Sequence, residues 1–150
     1  MNNILEVKNI HSFINQYHIL QDVDFVVPKG SITALLGRNG AGKTTLLRLA
    51  SGELQPLNGA VTGALTVCYC DQRTDSAPQS ASAFGEAQDG LAARLKGQLE
   101  ITDDWLSRWA TLSHGERKRL QVGTALWLGP DLLALDEPTN HLDHDTALLL

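Results

Sequence analysis

Gly37-Arg38-Asn39-Gly40-Ala41-Gly42-Lys43-Thr44 is the stretch on which the reading of this chain turns. It satisfies the pattern G-x-x-x-x-G-K-[ST] in the setting that gives the pattern meaning. Before it stands a short apolar run, Ser31–Leu36; after it, Lys43–Ala50 reads as a helix ended by Gly52. Glycines let successive backbone N–H groups turn inward on phosphates, and the helix N-terminus adds its positive dipole end. Lys43 would reach the β- and γ-phosphates of a nucleotide, and the Thr44 hydroxyl would ligate Mg²⁺. The contacting stretch is then Gly37, Arg38, Asn39, Gly40, Ala41, Gly42, Lys43, Thr44 and Thr45. A plain glycine-rich turn is the competing reading. Four fixed positions at average residue frequencies coincide by chance in a chain of 150 residues under ~1% of the time, so the turn reading loses.

Upstream of the loop, Leu5–Ile10 and Gln21–Val27 alternate and are rich in β-branched residues, as strands are, and Pro28-Lys29-Gly30 is a turn. Ser31–Leu36 fits a strand buried on both faces. Downstream, Leu65–Tyr69 is another strand, closing at Asp71-Gln72. Arg73–Asp89 is rich in Ser, Ala, Gln and Asp, and Ser82–Trp109 reads as short helices and loops. Ser113 and Glu116 make a capping box for a helix running to about Leu128. Leu132–Leu135 is a buried strand, and Leu142–Leu150 begins a further helix. Strand–loop–helix alternation points to an α/β fold with a parallel sheet and helices packed on it.

The strand Leu132–Leu135 runs into Asp136-Glu137. Two acids at the end of a buried strand are costly unless cations or donors meet them, so bound metal is a natural partner. Adjacent strand residues point opposite ways, which separates their tasks. Asp136 would hold Mg²⁺ through its outer shell, and Glu137 would polarise the water that attacks a γ-phosphate.

Bulk properties agree with a soluble nucleotide-binding domain. The apolar fraction is 43% and the charged fraction 19%. A formal charge of -5 argues against a nucleic-acid binder that relies on a net positive field, though not against a local basic patch. Arg117, Lys118 and Arg119 form such a cluster, readable as an RNA-phosphate contact or as a solvated helix face. Nothing at Met1–Ile10 reads as a secretory leader. The apolar stretches Ala125–Leu128 and Leu132–Leu135 are broken by Gly129-Pro130-Asp131, far short of the ~20 residues of a membrane span. Cys68 and Cys70 sit two apart on one strand face and read as buried reduced thiols. The cytoplasm is the expected compartment.

Leu112-Ser113-His114-Gly115-Glu116 resembles the signature of ATP-binding cassette (ABC) proteins, with His114 in place of the usual first glycine. Gln72 matches that family's Q-loop and Asn140-His141-Leu142-Asp143 its D-loop, all in family order along essentially the whole chain. The resemblance implies a P-loop-type parallel core with an antiparallel β subdomain and a small helical subdomain, here about 73–128 of one domain spanning 1–150. It implies ATP and Mg²⁺ as cofactors, with Gln72 joining Thr44 and Asp136 at the metal and Glu137 in catalysis. It also implies head-to-tail pairing with a second ABC cassette, whose bound γ-phosphate would be gripped by Ser113 and the Gly115 backbone. The adenine-stacking aromatic of the family is expected at Tyr17. Phe13 is the alternative, direct alignment lands on Ile14, and either aromatic could be core. The family's further strand with its switch histidine is not matched, since His141 and His144 are too close to Asp136. The chain therefore looks like a fragment that binds nucleotide, turns it over little and tends to associate.

Pro138-Thr139-Asn140-His141-Leu142-Asp143 resembles the ABC-F class, soluble tandem cassettes that act on ribosomes. The Leu-Ser-His-Gly-Glu form and the Leu5–Leu20 opening are also similar to importer ATPases, which dock a membrane permease subunit. A clamp that closes on ATP without turnover is a third class, and Glu137 argues against it.

Overall fold

Alternation in the first third of the chain becomes a long antiparallel hairpin. In the computed structural model, which describes residues 2–63 and 66–137, β1 (Asn3–Ile14) pairs with β2 (Tyr17–Pro28). Asn15-Gln16 makes the turn, and Asn15 takes a positive φ of 55°, a conformation that asparagine tolerates better than most residues. A third strand, β3 (Asn58–Thr62), adds antiparallel to the free side of β1, giving the order β2-β1-β3. Gly59 is what lets β3 lie there. Its φ is +90°, and a Cβ at that position would sit 2.2 Å from the Asn9 carbonyl oxygen and 2.4 Å from that of Lys8. The inward set Leu5, Val7, Ile10, Leu20 and Val27 is buried, as are Leu46, Leu49 and Ala50 of α1 (Lys43–Ala50). These elements belong to the first of two compact units, Met1–Tyr69; the second is Cys70–Leu150.

The expected buried strand at Ser31–Leu36 is not formed. These residues make no ladder, and Ile32 and Leu36 are 90% and 93% exposed. An apolar run becomes a strand only where neighbouring strands accept its hydrogen bonds, and among the described residues none does.

The second unit is mostly helical. β4 (Val67–Cys70) ends at its first residue, and Cys70 accepts a hydrogen bond from the Asp136 amide, which follows β5 (Leu132–Leu135). Between them run α2 (Ala81–Glu86), α3 (Gly90–Gln98), a 3₁₀ turn at Trp109–Thr111 and α4 (His114–Leu128). Phe84, Ala92, Leu95, Trp105, Leu112 and Leu120 form the core of this unit. Gly123 sets how closely α4 packs: a Cβ there would lie 2.9 Å from Leu99 Cδ1 and 3.2 Å from Phe84 Cε1. Asp89 caps α3 by accepting from the Ala92 amide and also takes the Trp127 indole N–H. Cys70 is buried and Cys68 half-buried, and neither is part of a disulfide. Among the described residues no helix is long and apolar enough to cross a membrane. The expected D-loop at Asn140–Asp143, the helix begun at Leu142, and His141 and His144 lie outside the described residues.

Candidate nucleotide site

The glycine-rich loop opens α1 as its pattern predicts. Gly42 stands at the N-cap with φ +89°, and a Cβ there would be 2.8 Å from Leu20 Cδ2 and 3.1 Å from Ile19 Cγ2. A side chain at this position is therefore excluded twice, by backbone conformation and by β2 beneath it. Gly40 also takes a positive φ, 82°. Because glycine brings no capping side chain, the helix opens on backbone amides. Lys43 folds back over the loop, its Nζ donating to the Gly37 carbonyl at 2.7 Å and the Arg38 carbonyl at 3.1 Å. The ammonium is thus held at the loop it would serve. Thr45 is buried in the first turn and Thr44 half-buried beside it.

Neither aromatic near the hairpin tip is core. Tyr17 is 68% exposed. Phe13 is exposed on one side and stacks on His18, ring centroids 4.2 Å apart and nearly parallel. His18 in turn meets His11 at 3.2 Å between ring nitrogens.

In the second unit, Asp136 is buried just past β5, while Glu137 beside it is half-buried with a positive φ of 47°. Both acids lie past the end of β5, so strand alternation does not govern them, and Glu137 takes a left-handed backbone. Oxygen donors such as Thr44, Gln72 and Asp136 are the type that suits Mg²⁺. Among the described residues no group of three or more His, Cys, Asp or Glu could hold a metal by itself. Mg²⁺ is commonly held by one or two carboxylates together with substrate phosphates.

The capping box at α4 forms in full. Ser113 Oγ accepts from the Glu116 amide at 3.2 Å, and Glu116 Oε2 accepts from the Ser113 amide at 2.7 Å. Hydrogen bonds from the Ser113 backbone and side chain hold the Glu116 carboxyl below its ordinary range. The Ser113 side chain is therefore engaged by Glu116 twice, accepting from its amide and hydrogen-bonding to its carboxyl. At the same helix end, Gly115 presents backbone where free amides favour an anion.

Sequence reasoning misjudged Arg117, Lys118 and Arg119. None is a solvated face and none offers its head to an outside phosphate. Lys118 is 1% exposed and donates to the Asp71 carbonyl at 2.6 Å. Burial draws its pKa below the ordinary lysine value, partly offset by Cys70, Asp71 and Asp136 nearby. Arg117 donates to the Trp109, Ala110 and Thr74 carbonyls and lies over the Trp109 ring. Arg119 donates to the Leu99 carbonyl and to Glu100, over the Trp105 ring. Periodicity shows where a residue lies on a helix but not which stranded carbonyls need a donor.

Comparison with known proteins bears on the whole of this arrangement. The chain matches the ABC transporter family over residues 20–140. It is 37% identical over 161 aligned positions to the "Energy-dependent translational throttle protein EttA" of Escherichia coli (strain K12), an alignment covering 98% of this chain and 29% of that protein. It is 35% identical to the "Probable ATP-binding protein YheS" of the same strain, over 96% of this chain and 24% of the relative. The chain thus spans less than a third of these curated relatives. Among solved structures, an ATP-binding cassette dimer in a post-hydrolysis state, bound to ADP and Pi, superposes with a TM-score of 0.76. That match has 19% identity and covers 96% of this chain and 78% of that one. A nucleotide-free cassette from an ABC transporter gives 0.73 at 20% identity, over 97% and 73% of the two chains. Likeness at such identities speaks for the fold, an α/β cassette with a P-loop. Because the family match runs unbroken through the glycine-rich loop, the capped helix and both acids, this chain belongs to the ABC transporter family of ATPases, as an ATP-binding cassette.

Proposed function

We propose that this chain is one cassette of a dimerising ATPase of the ABC-F class, acting in the cytoplasm on ribosomes. The observation that carries the translational assignment is the 37% identity to a translational throttle protein across 98% of this chain. The nucleotide assignment rests on Lys43, whose ammonium is held on the carbonyls of a loop in which Gly40 and Gly42 take positive φ and Gly42 has no room for a side chain.

In this reading residues 1–150 form a single nucleotide-binding domain with its helical part at about 73–128. ATP lies against the backbone of Gly37–Thr45, with Lys43 on its β- and γ-phosphates and Tyr17 at the adenine. Thr44, Gln72 and Asp136 would hold Mg²⁺, which neutralises phosphate charge when bound. Glu137 takes a proton from the attacking water as the new O–P bond forms and the bond between the γ-phosphorus and the bridging oxygen breaks, giving ADP and phosphate. Ser113 and the Gly115 backbone serve the nucleotide bound by a second cassette.

Sedimentation through a sucrose gradient tests the partner. The full-length protein, loaded with a non-hydrolysable ATP analogue, is expected to travel with ribosomal particles and to leave them when the analogue is withheld. Recovery with a membrane permease instead would make the protein a transporter subunit.

A further inference from the structure

Residues Asp71–Asp75 join β4 to the helical part, and three of their carbonyls accept from side chains of α4 and of the 3₁₀ turn. The Asp71 carbonyl accepts from Lys118 Nζ at 2.6 Å and from Gln121 Nε2 at 3.3 Å. The Thr74 carbonyl accepts from Arg117 Nη1 at 3.4 Å, and the Asp75 carbonyl from the Trp109 indole at 3.3 Å. Within the segment, the Asp71 carboxylate takes the Arg73 amide at 3.0 Å. Thr74 is buried, whereas Gln72 and Arg73 stand exposed between the held positions. Lys118, Gln121 and Arg117 all belong to α4, the helix that opens at Ser113.

We propose that Lys118, with Gln121 and Arg117, is a positioning residue that fixes the Gln72 segment to α4, so that Gln72 and the Ser113 end of the helix move as one body. The proposal rests on the reading above, in which Gln72 serves the nucleotide of its own cassette and Ser113 that of the partner. A rigid connection between them makes contact at one γ-phosphate set the placement of Gln72 at the other.

Burial explains why the tether is stiff. Lys118 is 1% exposed, so breaking its bond to the Asp71 carbonyl would leave a buried donor with little access to water, which is costly. A lysine that merely satisfied a stray carbonyl would matter for folding alone. A positioning lysine also matters for turnover, and a variant can separate the two.

The test compares Lys118→Met and Lys118→Arg with the unaltered full-length protein, by hydrogen exchange at residues 70–76 and by steady-state ATP hydrolysis. Lys118→Met is expected to speed exchange there at least about tenfold. It should lower kcat at least about tenfold while KM for ATP changes less than about threefold, because the glycine-rich loop is untouched. Lys118→Arg, which keeps a buried donor, should restore most of both. Exchange unchanged in Lys118→Met would overturn the tether, and faster exchange with unchanged kcat would overturn its role in positioning. Should Lys118→Met fail to fold, Gln121→Met removes the second donor to the same carbonyl and is read by the same criteria. An unaltered protein that binds ATP but never hydrolyses it would remove the ATPase reading; the exchange measurement still decides the tether.

Discussion

Replacing Lys43 by alanine is expected to weaken MgATP binding at least about tenfold, since charge-assisted contacts to phosphate are the strong ones. Lys43 is the P-loop lysine of the motif, and its ammonium already sits on the Gly37 and Arg38 carbonyls. Bound phosphates would gain that charge with little reorganisation of the side chain. Isothermal titration measures the loss directly. Affinity unchanged in Lys43→Ala would remove the loop from the binding site.

Glu137→Gln is expected to separate binding from chemistry. Glutamine keeps the size of the side chain and loses the carboxylate that accepts the water's proton. In the full-length protein, ATP hydrolysis should fall about a hundredfold or more, with affinity for MgATP little altered. The ATP-bound pair of cassettes should then accumulate, visible as a compact, slowly dissociating species by size-exclusion chromatography with light scattering. Full turnover in the variant would assign proton acceptance to another group. Asp136, one residue away, is buried and is the part of the acid pair suited to holding cation charge.

Where local chemistry decides structure, the sequence was legible. The helix Lys43–Ala50 and the strand Leu132–Leu135 have the limits read from their patterns, and Ser113–Glu116 makes both hydrogen bonds of its capping box. Where structure depends on what lies opposite, it was not. Ser31–Leu36 has the composition of a buried strand, yet its fate depends on partners that its own residues do not specify. β3 carries only five residues, Asn58–Thr62, with one half-buried side chain among exposed ones, so no alternation marks it. Its available signal was Asn58-Gly59, a pair that favours positive φ. The largest misreading concerned charge. Arg117-Lys118-Arg119 looks like a surface cluster, but carbonyls from distant loops turn all three heads inward.

If the phosphate chain of a nucleotide anchors on Gly37–Thr45, affinity must depend on the number of phosphates. A titration of this chain with ATP, ADP and AMP in the presence of Mg²⁺ reads that dependence. Inward-turned amides and Lys43 act on the β- and γ-phosphates, which AMP lacks. AMP should therefore bind at least about a hundredfold more weakly than ATP or ADP. Comparable affinity for all three would place recognition on the nucleoside instead, and would contradict the assignment of this loop as the anchor.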